Sequence, residues 1–294
     1  MMIEKTPLEQ LIEMNEQVRR TRKRPARRRE PPKDVERFYR TQLRSLIRAI
    51  RREIDKEVMP EVRQNKADYT LDSVVTMDTW ADRIIALIAG ISERFTSQAF
   101  EQQYDRLAAR TVSMAEASST RQFLESVNQA IGVDMGPILD QAGIRDYLQV
   151  ASYQNAQLIK SVPQEFLKGI EAAVIGGIRA GNAPSEIAKQ IQKQTGIADR
   201  RAQLIARDQV AKMNGEITER RQRQSGIKFF RWSTSKDARV GDDHRAAAAR
   251  DVGYGKGVYR WDQPPNEGIP GRASRPNCRC VAIPVFEWEL PNAS

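Results

Sequence analysis

The chain has 294 residues, 40% of them hydrophobic and 29% charged, a composition that describes a soluble globular protein with room for about two domains. Its longest apolar stretch, residues 84–91, falls far short of the roughly 18 residues that span a bilayer, so no membrane helix is expected. The formal charge of +10 suggests a polyanionic partner, but Arg19, Arg20, Arg22, Lys23, Arg24, Arg27, Arg28 and Arg29 supply eight positive charges with no acidic residue among them, leaving +2 for the remainder, which excludes the whole surface as a nucleic-acid platform.

The N-terminus is acidic and amphipathic (Leu8, Leu11, Ile12, Met14) rather than basic then apolar, unlike a secretory signal. The basic run and Pro31-Pro32 follow, and like-charge repulsion makes residues 1–34 a flexible arm. From Asp34, a plausible N-cap, Val35, Phe38, Leu43, Leu46, Ile47, Ile50, Ile54 and Val58 form one apolar stripe, with Pro60 as the stop. A second helix begins near Met77 or Asp78, carries Trp80, Ile84, Leu87, Ile88, Ile91 and Phe95 on one face, and runs toward Arg110.

Shorter pieces are predicted next: one around Phe123 to Ile131 ended by Gly132, one over residues 144–159 ended at Val162-Pro163, and one over residues 166–180 ended at Gly181-Asn182. Ser185 starts a helix that stops at Thr195-Gly196, and Asp199 caps a last long helix that reaches the basic end at Arg220, Arg221 and Arg223. After Gly226 the texture changes. Residues 227–233, 257–261 and 280–288 are short and rich in aromatic and β-branched side chains, with glycines and prolines between them. The fold class is therefore mainly α: residues 35–226 form a helical domain, and residues 227–294 a small α+β module containing Cys-x-Cys.

Only two cysteines occur, Cys278 and Cys280, which excludes a disulfide scaffold and favours synthesis in a reducing cytosol. With His244, the sole histidine, they place every soft ligand of the chain in one module. Zinc would need a fourth ligand from Asp237, Asp242 or Asp243. The blander alternative makes the cysteines small buried groups and pairs His244 with an aspartate, and on that reading no cofactor is expected. Arg239 and Arg279 would tie the loops together by pairing with Asp237, Asp242 or Asp262. An enzyme reading takes Asp237, Asp243 and His244 as a metal-dependent, DNA-processing or toxin-like centre, although no phosphate loop or nucleophile elbow accompanies them. The basic run, with no aromatic interleaved, suits double-stranded DNA without sequence preference; an acidic protein surface or plain solvation are its alternatives.

Residues Ala202 to Val210 with Arg207, the run from Gly226 through Trp232, Asp237 and Arg239 to His244, then Trp261, Pro264-Pro265, Pro270-Gly271 and Asn277-Cys278-Arg279-Cys280, resemble the phage Mu F-like minor head (head-morphogenesis) proteins. The resemblance covers about residues 153–286. It implies a non-enzymatic, low-copy virion protein of a tailed phage, assembled in the host cytoplasm and placed in the head interior or portal region. Its implied partners are the portal protein, the major capsid or scaffolding protein, and packaged DNA, with no membrane involved.

Overall fold

The computed structural model describes residues 5–14, 24–64, 74–139, 142–272 and 276–291. The chain is mainly helical with a small antiparallel sheet near its C-terminus, as expected. None of the helices among the described residues is long and apolar enough to cross a membrane.

In chain order the helices are α1 (Pro7–Met14), α2 (Lys33–Glu53), α3 (Met59–Gln64), α4 (Val74–Thr96), α5 (Gln98–Ile131), α6 (Ala142–Arg179) and α7 (Pro184–Gln224). Strand β1 (Phe229–Ser233), helix α8 (Asp242–Ala249), and strands β2 (Val258–Arg260) and β3 (Val281–Val285) follow. The helices are fewer and longer than the breakers predict. Pro60 does not stop the first one: a π turn over Ile54–Val58 leads into α3, where Pro60 is the second residue, a position at which a missing N–H costs little. Pro163 lies inside the 38-residue α6, buried with Val162, Phe166 and Leu167 around it. Packing there outweighs the lost helical hydrogen bond. Gly196 lies inside α7, where a glycine costs only about 1 kcal/mol relative to alanine. Asp199 is not a cap; both of its carboxylate oxygens accept from the Arg44 guanidinium at 3.2 Å.

The chain divides into two compact units, and neither follows the expected boundaries at 34 and 226. One comprises Arg37–Arg110 and Ser152–Ala206. Its buried residues include Tyr39, Leu43, Ile47, Ile50, Ile54 and Val58 from the α2 stripe, and Trp80, Ile84, Ile88, Ile91 and Phe95 from α4. Phe38 and Leu46, predicted for that stripe, are only half-buried; Tyr39 takes the core position, and the Arg110 guanidinium lies 5.0 Å from the Phe38 ring.

The other unit comprises Met1–Glu36, Thr111–Ala151 and Arg207–Ser294. Here the small module is built onto helices. Ile227 and Phe286 are buried in one cluster with Phe123, Val127 and Ile131 of α5, Leu8 of α1, and Ala26. The Gln222 side chain donates to the Ala282 carbonyl at 3.1 Å and accepts from the Trp261 indole at 3.1 Å. Three short strands have too little apolar surface to fold unaided, so the sheet borrows helix faces.

The arm also differs from expectation. Residues 24–32 have no regular secondary structure, yet they are packed: the Arg24 N–H donates to Ala130 O at 2.9 Å, the Ser126 hydroxyl donates to Arg27 O at 3.3 Å, and Ala26 is buried. The apolar Pro25-Ala26 step inside the basic run lets the backbone dock on α5, with Arg24 and Arg27 exposed and Arg28 and Arg29 half-buried. Arg19, Arg20, Arg22 and Lys23 lie outside the described residues.

Candidate functional site

The sheet has order β2-β1-β3, both pairings antiparallel, with Phe230 opposite Tyr259 on one side and Pro284 on the other. Pro284 fits because β3 is an edge strand. One face carries Phe230, Trp232, Tyr259, Trp261 and Ala282, which share a buried cluster with Ala247, Cys278 and Cys280. Helix α8 lies against this sheet: the Tyr259 hydroxyl donates to Ala247 O at 2.7 Å. Its sequence signals are two acidic residues in the first turn, Asp242 and Asp243, followed by four alanines.

His244 is in the first turn of α8 and 3% exposed. Its Nδ1 stands 3.6 Å from the Cys278 Sγ and 3.6 Å from the Cys280 Sγ. Ligand atoms of the three residues all lie within 4.8 Å of one another. Residues two apart in extended chain share a face, so both sulfurs point inward and the intervening Arg279 points away. The turn before them depends on Asn277, whose φ of +59° is left-handed and whose N–H donates to the Asp208 carboxylate at 2.6 Å. Arg207 also reaches the Asn277 side chain, at 3.2 Å. Trp232 places its ring edge-on to the imidazole, centroids 5.2 Å apart.

His244 is hydrogen-bonded to an aspartate through its backbone, its N–H donating to Asp243 Oδ1 at 2.9 Å, and not through its imidazole. Asp243 Oδ2 is 4.0 Å from His244 Nε2, and Nε2 is buried without a hydrogen-bond partner. Asp237 is paired with the Arg279 guanidinium and also accepts from the Arg239 N–H at 3.0 Å. Asp242 and Asp262 pair with their near neighbours Arg245 and Arg260. The Arg239 side chain is exposed beside a cavity of about 350 Å³ that His244, Cys278 and Cys280 also line.

The two thiols differ. A hydrogen bond from the Cys280 thiol is the main reason the Cys278 thiol is brought down to about 6; the backbone N–H groups of Cys280 and Gly271 and the His244 imidazole add to it, against burial. Donating that bond, together with burial, pushes the Cys280 thiol up. The pair thus holds one thiolate readily.

Of the described cations of the basic run, Arg28 reaches the Cys278-Arg279-Cys280 segment and the others bond elsewhere or are exposed. Arg24 and Arg27 are exposed. Arg28 pairs with Glu30 at 3.1 Å and reaches Arg279 O at 3.4 Å, while Arg29 bonds Gln129 at 3.2 Å and lies 3.6 Å from Glu125. Sequence reasoning missed the roles of Asp208 and Asn277; the one signal was an asparagine just before Cys-x-Cys, a residue type that tolerates the left-handed turn.

Residues 168–283 match the family model described as Phage Mu protein F like protein. A protein of Haemophilus influenzae described as uncharacterized is 25% identical over 257 residues, which cover 87% of this chain and 54% of that protein. The chain therefore spans about half the length of the curated relative it matches. No solved structure matches it. The matched residues include Asp208, Asn277 and the whole His244, Cys278 and Cys280 cluster, so the candidate site lies within the part of the chain that is similar to the Phage Mu protein F-like family.

Proposed function

We propose that the protein is a minor head protein of a tailed phage that acts in head morphogenesis, binding the portal and inner capsid, with its basic segment turned toward packaged double-stranded DNA. The observation that carries this reading is the match of residues 168–283 to a phage head family. The same family supports a structural rather than a catalytic role. The site geometry agrees: Asp237, the acid that an enzyme reading needs, is occupied by Arg279 and the Arg239 N–H. The DNA contact is supported by the eight cations of residues 19–29, with no acidic residue among them, and by the exposure of Arg24 and Arg27.

Crosslinking or density of this chain in assembled heads tests the location. A position at the portal or the inner shell is expected, and absence from mature and immature heads would overturn the reading. For DNA, residues 24–29 cannot simply be deleted, because their backbone packs on α5. Glutamine at Arg19, Arg20, Arg22, Lys23, Arg24 and Arg27 removes charge and keeps the packing. Retention on DNA should then fall strongly in low salt and little in high salt, the slope of affinity with salt shrinking by about 1 for each phosphate that is no longer neutralised. Equal retention in both salts removes the DNA role.

A further inference from the structure

We propose that His244 Nδ1 and the sulfurs of Cys278 and Cys280 bind one zinc(II) ion, with the fourth coordination position open to the adjoining cavity.

Distance carries the first part of the argument. Zinc bonds of about 2.3 Å to sulfur and about 2.0 Å to nitrogen, at a tetrahedral angle, put a sulfur and a nitrogen ligand about 3.5 Å apart. Both sulfurs stand 3.6 Å from Nδ1. Hydrogen bonding alone explains this poorly. Nδ1 carries either one lone pair or one proton, so it can serve one sulfur well, yet two sulfurs converge on it at equal distance. A cation between the three atoms satisfies all of them.

Charge and burial give the second part. Cys278, Cys280 and His244 are all buried, and two thiolates with one Zn²⁺ and a neutral imidazole sum to zero. Arg279, the cation nearest in sequence, is held by Asp237 and so does not compete for the thiolates. The third part is the orphaned nitrogen. Ligation through Nδ1 fixes the proton on Nε2, the buried atom without a hydrogen-bond partner, and the carboxylate of Asp243 is 4.0 Å away. A small rotation of Asp243 would complete the carboxylate–histidine–zinc arrangement that orients metal-bound histidines. Finally, the ligands are fixed before any metal arrives: His244 by α8 against Trp232, Cys278 by the Asn277 turn tied to Asp208, and Cys280 by its place just before β3.

The cavity of about 350 Å³ touches all three ligands and is also lined by Arg207, Arg239 and Asn277, so the fourth position is reachable by water. Three protein ligands and one exchangeable position distinguish this from a closed structural site with four.

The test uses the full chain, free of affinity tag, purified under reducing conditions, loaded with zinc and freed of excess metal. Mass spectrometry should find one zinc per chain, and replacement by cobalt(II) should give sulfur-to-cobalt charge-transfer absorption with the strong visible bands of a four-coordinate centre. C278S, C280S and H244N should each weaken zinc binding by more than about 100-fold, since even outer-shell losses cost about 10–100-fold. If a variant fails to fold, the cobalt spectrum of the unaltered chain still decides: octahedral, sulfur-free absorption overturns the proposal. Metal content near zero after loading, or full content retained in C278S and C280S, overturns it as well. None of these readouts depends on head assembly, so the zinc site and the head role fail separately.

Discussion

Arg221 is fully buried near the end of α7, donating to Glu116 at 2.7 Å, Thr120 at 3.0 Å and Gln224 at 3.1 Å. A basic residue at a helix C-terminus reads from sequence as a solvated partner of the helix dipole, and Arg220 and Arg223 are partly or mostly that. Arg221 instead cross-links α7 to α5. Replacing it with methionine strands the Glu116 carboxylate, which keeps only the Thr120 hydroxyl, and should cost about 3 kcal/mol by urea denaturation. Adding Glu116→Leu should recover much of the loss, because removing both partners leaves no unpaired charge; a double variant as unstable as the single one would refute the coupling. Gly226 makes a second single-residue case. It ends α7 with φ +79°, and a Cβ there would lie 2.6 Å from the Thr6 Cβ, whereas Gly181, at φ +67°, faces open space. Gly181→Ala should cost about 1 kcal/mol of backbone strain. Gly226→Ala should cost more and also accelerate hydrogen exchange across Pro7–Met14, since the clash pushes α1 away. Similar exchange in both variants would show that Thr6 yields without cost.

At the scale of elements, two contacts decide how helices meet their neighbours. Gly215 in α7 lets the Pro270-Gly271 loop touch the helix: a Cβ would fall 2.6 Å from Pro270 O. Alanine normally stabilises a helix interior by about 1 kcal/mol over glycine, so a lower melting temperature for Gly215→Ala identifies the close approach as the dominant effect, and a higher one dismisses it. The π turn of Ile54–Val58 presents Glu57 to Arg94 of α4 at 2.8 Å, and that hydrogen bond holds the Glu57 carboxyl below its ordinary 4.5. In the folded state this group binds its proton less readily than in the unfolded chain. Its stabilisation is therefore complete above about 4.5 and lost as pH falls through the folded value. Arg94→Ala should flatten the fall in urea midpoint between neutral pH and about pH 3, and an unchanged slope would exclude the pair as a contributor. Helix existence was legible at this scale because apolar spacing survives any tertiary context. Helix ends at Pro60, Pro163 and Gly196 were not, because each breaker's penalty of a few kcal/mol or less is offset by burial that only the assembled unit supplies.

For the whole molecule, the module of residues 227–294 is the part whose autonomy the texture of the sequence overstates. Ile227 and Phe286 are buried with α5 residues, and Gln222 of α7 bonds both Ala282 and Trp261. A fragment starting at Ile227 is expected to lack dispersed amide resonances in metal-free buffer, while the full chain shows them; a dispersed spectrum from the fragment would make the module a domain in its own right. The same dependence explains how much of the candidate site could be read in advance. His244, Cys278 and Cys280 stood out because the chain uses soft ligands nowhere else. Their convergence on one nitrogen did not, since the 33 residues between His244 and Cys278 say nothing about distance until α8, β1 and the Asn277 turn fix it.

Periodicity, composition and residue order by themselves determined that this protein is mainly helical, that a short β-containing segment closes it, and that its motifs follow the Mu F-like pattern, because each is a local property of the chain. Only the tertiary structure decided where helices merge, that residues 24–32 are packed rather than free, and that three soft ligands meet. Those outcomes depend on burial and on long-range contacts, whose energies are set by neighbours that the local sequence does not name.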